Sequence, residues 1–359
     1  MDMKNRPLSR LFLLIVPLLL ITLACRAATR MIIPDTPTPL PSPTATQTIT
    51  PSPTVPPPTP TPTFVLACPS LLDEIMTEAT HEDTHTGPLF PNGNSEDDSL
   101  YGYMVEYTLK DDKLWQRDEI YIPDSFDKTL DTRSAHEWIW DFFAAVIPAS
   151  ERDFVTRFSA LTDGHDAILG AVSRVEEDPI KWALKVDVVD ADNHYSLAFT
   201  LMHEFGHLLT LKSPQVAFDK TLYYNPDNEE FYDRAAAACP QYFTQEGCSS
   251  STSYINEFFS RYWQMIYPEW QEIDKEETET SYRNSLHGFY KLYADQFLTE
   301  YSVKSPEEDI AEAWSFFILS PKPEPNSIAN EKILFFYEYP ELVQLRQEIL
   351  TRLCANFPE

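Results

Sequence analysis

His203 and His207 stand four residues apart with Glu204 between them, in the run His203-Glu204-Phe205-Gly206-His207. On a helix of 3.6 residues per turn, side chains at that spacing leave from one face and can reach one ion. Imidazole nitrogens and carboxylates are the ligands that catalytic zinc takes. Zinc lowers the pKa of a water at such a site toward neutrality, and a carboxylate placed one position after the first histidine can accept that water's proton. One helical turn therefore offers two metal ligands, His203 and His207, and a general base, Glu204. The chemistry such a turn would support is hydrolysis, with Zn2+ as the expected cofactor and no covalent intermediate.

The element that must hold these groups is apolar. Leu197, Leu201, Phe205 and Leu208 recur at helical spacing through residues 196–211, which predicts a buried helix. Polar groups inside such a helix are costly unless partnered, and a shared metal ion is one such partner.

A catalytic zinc takes a third protein ligand. The run after His207 is Leu208-Leu209-Thr210-Leu211-Lys212, so the H-E-x-x-H-x-x-G-x-x-H extension is absent. Glu308, in Ser305-Pro306-Glu307-Glu308-Asp309-Ile310-Ala311-Glu312, is the best candidate. Ser305 as N-cap and Pro306 at the first position start a helix there. A capping box between Ser305 and Glu308 is the structural alternative for that glutamate. Glu312 lies one turn on, where a carboxylate can accept the second N–H of a metal-bound histidine. Glu257, in Asn256-Glu257-Phe258-Phe259-Ser260-Arg261, is a rival ligand. It superficially resembles the N-E-x-x-S-D signature of thermolysin-like enzymes, with Arg261 where a carboxylate belongs. His287 is a weaker rival, without a supporting acid nearby in sequence.

The order H-E-F-G-H, then Tyr301, then Glu308-Asp309-Ile310-Ala311-Glu312 resembles the gluzincin-type zinc metallopeptidases. It looks most like the catalytic domain of the lethal-factor group. The resemblance covers only residues 196–211 and 301–317, separated by a longer gap here. It implies a zincin-like fold, with a small mixed sheet plus an active-site helix. It further implies that His203, His207 and Glu308 bind zinc, and that Glu204 activates water. Tyr301 would donate a hydrogen bond to the tetrahedral oxyanion, and Glu312 would support a histidine ligand.

Pattern reading gives an α+β fold, strands first and helices dominating the C-terminal half. Residues 101–109 read as a strand, and 135–148 and 150–161 as helices. Residues 167–175 and 181–189 read as a hairpin turning at Asp178-Pro179. The second hairpin strand directly precedes the His203 helix, where zinc peptidases usually hold the edge strand that pairs with substrate. Residues 252–267, 281–302, 306–319 and 328–355 read as helices.

Three segments divide the chain. Residues 1–25 read as a signal peptide, with Lys4, Arg6 and Arg10 ahead of an apolar run too short for a comfortable membrane span. Leu23-Ala24-Cys25 resembles a bacterial lipoprotein cleavage box, with Thr22 where leucine is usual. That implies lipidation of Cys25, against cleavage near Ala27-Ala28 or an uncleaved anchor. Residues 26–63 read as a linker. From residue 34 they are almost entirely Pro, Thr and Ser, which favours extended polyproline conformations. Residues 64–359 read as the folded domain.

Setting Cys25 aside leaves Cys68, Cys239, Cys248 and Cys354. An even number in an exported domain suggests two disulfides. Three pairings are possible, and the favoured one joins Cys239 to Cys248 and Cys68 to Cys354. The net charge is −29. Five basic residues and only two acids, Asp2 and Asp35, precede residue 64, so the domain is more acidic than the whole. That argues against nucleic-acid binding and against docking onto anionic lipid. The expectation is an extracytoplasmic, lipid-anchored or secreted zinc peptidase acting on peptide or protein substrates. The alternatives are a non-catalytic zinc domain that binds peptide or wall polymer on a stalk, and a peptidoglycan amidase.

Overall fold

A computed structural model of the chain describes residues 68–80, 103–124, 126–162, 169–225, 228–244, 246–276 and 278–358. The chain divides into Met1–Thr61 and Pro62–Glu359, and all described residues lie in the second unit. The signal peptide, Cys25 and the proline-rich linker lie outside the described residues. Among the described residues no helix is long and apolar enough to cross a membrane.

The fold is mixed α+β. Five strands form one sheet: β1 Tyr103–Lys110, β2 Lys113–Tyr121, β3 Val155–Thr162, β4 Gly170–Val175 and β5 Asp178–Asp187. Their order is β2-β1-β3-β5-β4. Only β3 and β5 run parallel, and the other neighbours are antiparallel. β1 alternates, with Tyr103, Val105 and Tyr107 buried, as a strand covered on one face must. Helices α1 Pro69–Ala79, α2 Arg133–Val146 and α3 His194–Leu211 accompany the sheet. After it come α4 Lys220–Tyr223, α5 Glu229–Ala238, α6 Tyr254–Phe258, α7 Tyr267–Ile273 and α8 Glu279–Leu292. The chain ends in α9 Pro306–Leu319, α10 Ile328–Phe336 and α11 Pro340–Asn356.

Four expectations from the pattern need correction. Residues 150–161 are not a helix; after one short turn at Ala149–Glu151 the chain enters β3. In β3 the apolar Val155, Phe158 and Leu161 recur every three residues among Thr156, Arg157 and Ser159, a spacing that imitates a helix face. The hairpin turns at Glu176-Glu177, since Val175 already faces Asp178. β5 is not the edge strand: it lies between β3 and β4, and β4 is the edge. Finally, three of the four C-terminal helical segments differ in extent, and only 306–319 is as read. The 281–302 segment stops at Leu292, and Tyr301–Lys304 is a separate short turn. The 328–355 segment breaks before Pro340, which removes an N–H and holds Tyr339 extended at φ −106°, ψ 105°. The 252–267 segment ends its α-helix at Phe258 and continues as a π turn over Phe259–Trp263.

α3 is buried on every side from Ser196 to Leu211, the condition for a helix apolar all round. Asn193 starts it, its side-chain oxygen accepting from the Tyr195 and Ser196 amides at 3.1 Å each. α9 crosses α3 closely because the residues at the crossing are small. A Cβ on Gly206 would lie 3.0 Å from the Ala311 Cα. On its outer side α9 is pinned by Asp309, which accepts from the Trp263 indole at 2.7 Å and pairs with fully buried Lys332 at 2.5 Å. Two disulfides are formed. Cys68–Cys354 ties the start of α1 to α11, and Cys239–Cys248 closes a short loop.

Candidate metal centre

The crossing of α3 and α9 brings three groups to one point. His203 Nε2 lies 3.0 Å from His207 Nε2 and 3.0 Å from Glu308 Oε2, and His207 Nε2 lies 3.2 Å from the same oxygen. His203 and His207 come from one face of α3, and Glu308 comes from the first turn of α9. The capping question at Glu308 resolves into two parts. Ser305 Oγ accepts from the Glu308 amide at 3.2 Å, so the cap is made. The Glu308 carboxylate takes no part in it and turns to the histidines.

Behind them, Glu312 Oε1 lies 3.1 Å from His203 Nδ1, and Thr299 Oγ1 donates to Glu312 Oε2 at 2.9 Å. This pair orients the His203 ring. A proton on Nδ1, given to Glu312, leaves the Nε2 lone pair facing His207 and Glu308. Lone pairs and a carboxylate then converge within 3.2 Å, which is repulsive without a positive charge among them. A proton can bridge one pair at a time, whereas a metal ion meets all three groups. A tetrahedral ion with bonds of about 2.0–2.1 Å holds its ligands about 3.3 Å apart, close to the separations here. His203, His207 and Glu308 could thus hold a metal ion.

The electrostatics agree. Burial alone would lower the His203 pKa, but Glu308 and Glu312 on its two ring nitrogens raise it to about 10. Burial also works against the Glu308 charge, yet His207 and His203 hold its carboxyl well below the usual range. The pocket favours a cation. Glu204 is nearly buried, and its Oε2 has no hydrogen-bond partner; burial pushes its carboxyl up, against the pull of His207 and His203. A raised, unpartnered carboxylate is suited to accepting a proton. The Tyr301 ring stands 5.7 Å from the His203 ring. Burial, then the Glu308, Glu204 and Glu312 charges, push its phenol well above the ordinary range, so it is a neutral donor.

A cleft of about 400 Å³ opens beside the group, with Glu204, His207, Tyr301 and Glu308 in its wall. β4 forms another wall through Gly170, Ala171 and Val172. Gly170 is required there: a Cβ would come within 2.7 Å of Thr200 Cγ2 and 3.0 Å of Glu204 Cγ.

The rival ligands lie elsewhere. Glu257 pairs with Arg261 at 2.5 Å and accepts from the Tyr339 hydroxyl at 2.7 Å. His287 pairs with Glu300 at 2.6 Å. Sequence reasoning missed Thr299 and Gly170. Thr299 sits in an irregular stretch with no motif around it, and Gly170 would have needed knowledge that β4 runs against α3. Comparison with known protein families, curated proteins and solved structures finds no match for this chain.

Proposed function

We propose that the chain is an extracytoplasmic zinc peptidase of zincin-like fold, related in its site to the gluzincins. The observation that carries this reading is the meeting of His203, His207 and Glu308 at one point, with Glu204 and Tyr301 facing the same cleft. His203, His207 and Glu308 would hold the zinc, which supplies Lewis acidity and lowers the pKa of water at such a site. Glu204 Oε2 takes the proton of the attacking water and returns it to the leaving amine. The Tyr301 hydroxyl donates to the oxygen that becomes negative. Glu312, held by Thr299, fixes the His203 tautomer. An extended substrate would add to the β4 edge of the sheet, where backbone groups can pair with a peptide.

A structural zinc site is closed by four protein ligands. A three-residue set opening onto a cleft favours catalysis over the non-catalytic binding domain. The two disulfides favour an oxidising, extracytoplasmic setting, and lipidation of Cys25 is part of the same proposal. The test is hydrolysis of a mixed peptide library by the zinc-loaded protein, wild type against Glu204→Gln. Wild type should cleave, and the variant should bind zinc but lose turnover by orders of magnitude. Equal cleavage by both would refute the assigned role of Glu204. Cleavage of wall material alone would point to the amidase reading, and no cleavage to the binding domain.

A further inference from the structure

The cleft continues past His207 to the last turn of α3. Val172, Trp182 and Leu211 give it apolar walls, and Glu246 and Glu307 also line it. The two carboxylates are compensated differently. Glu246 accepts from Arg174, whose side chain is 1% exposed and whose guanidinium lies 4.7 Å over the Trp182 ring. Glu307 accepts from neutral groups, the Tyr242 hydroxyl 3.0 Å from either oxygen, the Ser305 hydroxyl and its own amide. Among the described residues no lysine or arginine forms an ion pair with it. Lys304 also lines the cleft, but its ammonium stands 4.1 Å over the Tyr301 ring. A second observation points to a ligand. Trp182, 1% exposed, lines the same cleft, and its Nε1–H has no hydrogen-bond partner. Buried polar groups left unpaired in a finished fold call for an explanation, and a missing ligand is one.

We propose that this part of the cleft takes the side chain of a lysine or arginine in a peptide. The methylene stem lies between Val172, Trp182 and Leu211, and the cationic head reaches Glu307. Long basic side chains combine an apolar stem with a charged tip, which is what these walls and this carboxylate match. The head on Glu307 makes a charge-assisted hydrogen bond, stronger than a neutral one. An acidic side chain entering here meets Glu307, Glu246 and Glu308 and is repelled. The assignment deepens the peptidase reading and rests on it only in taking the ligand to be a peptide.

The experiment separates binding from turnover. Fluorescein-labelled heptapeptides that differ only at the central residue (Lys, Arg, norleucine, citrulline or Glu) are titrated by anisotropy into the zinc-loaded full chain carrying Glu204→Gln. Lys and Arg peptides should bind at least about tenfold tighter than norleucine and citrulline peptides, with Glu weakest. Adding Glu307→Gln should drop the Lys peptide to the norleucine level while bound zinc stays stoichiometric. Norleucine binding as tightly as lysine, or no binding by any peptide, overturns the assignment without needing the second variant. A lysine preference that survives Glu307→Gln overturns the role of that residue. Basic preference in binding with no cleavage by wild type keeps the pocket and removes the peptidase reading. Cleavage without basic preference does the reverse.

Discussion

Replacing Gly206 by alanine tests the close crossing of α3 and α9. The new methyl carbon would lie 3.0 Å from Ala311 Cα and 3.1 Å from Trp314 Cδ1. Carbon atoms rest at about 3.5–4.0 Å, and the backbone of Ala311 cannot turn aside. α3 and α9 must therefore part by about 0.5 Å or more. His203 and His207 ride on α3 and Glu308 on α9, so the separations of 3.0 and 3.2 Å between imidazoles and carboxylate widen by a similar amount. That exceeds the roughly 3.3 Å that tetrahedral zinc sets between ligands. Stability changes less. Alanine in place of glycine inside a helix contributes about 1 kcal/mol, against about 1–3 kcal/mol for overpacking. The variant should stay folded, losing no more than about 2 kcal/mol, while zinc affinity falls at least about tenfold, the scale of disturbances around a metal ligand. Chelator competition measures the affinity and urea unfolding the stability. The control is Gly288→Ala in α8, where a Cβ meets nothing within 4 Å; it should leave zinc affinity unchanged. Wild-type zinc affinity in folded Gly206→Ala would refute the idea that this crossing sets the ligand spacing.

Three further outcomes are expected. Glu312→Gln keeps the shape but loses the charge that orients His203, so zinc affinity should fall by about 10–100-fold with little change in unfolding; a loss under twofold, read by chelator competition, would remove Glu312 from the site. Fully buried His136 lies between the Tyr103 and Tyr107 hydroxyls, 3.1 and 2.9 Å from its nitrogens, and burial lowers its pKa to about 4. An unfolded histidine takes its proton near 6.5, so the stability His136 contributes is complete above pH 6.5 and is lost as pH falls to about 4. The loss amounts to about 3 kcal/mol, and His136→Gln should show a correspondingly shallower decline in urea midpoint over that window; parallel declines would contradict it. Lys332→Met leaves the Asp309 carboxyl, which burial already pushes up, without its partner in the core, costing about 3–5 kcal/mol. Adding Asp309→Asn, which keeps an acceptor for Trp263, should recover much of that loss in urea unfolding, and a single-variant cost under about 1 kcal/mol would show that the pair carries no such weight.

How much was legible from the chain alone divides along a physical line. Interactions within one helical turn are local, so they can be read directly. That is why His203, Glu204 and His207 stood out, why the Ser305 cap and Pro306 marked the start of α9, and why the apolar run 196–211 announced a buried helix. Glu308 and Glu312 were readable for the same reason, since one turn of helix fixes their common face. The alternating residues of β1 were readable because one face of that strand is covered. β3 was not: its apolar Val155, Phe158 and Leu161 recur at a helix-like spacing, and only the pairing with β1 and β5 makes it a strand. Nor could the local pattern show that β4 rather than β5 is the edge, because sheet order depends on partners far away in the chain. The same holds for the cleft. Gly170 against Glu204, Gly206 against Ala311, and Glu307 with Trp182 and Leu211 are each brought together from separate segments, and Thr299 reaches Glu312 through an irregular stretch with no pattern to read. The sequence by itself determined which turns could carry a metal and a proton. Only the packing of α3 between the sheet and α9 decided which carboxylate completes the set, because a 3 Å meeting of side chains more than 100 residues apart is a property of the core and not of any local pattern.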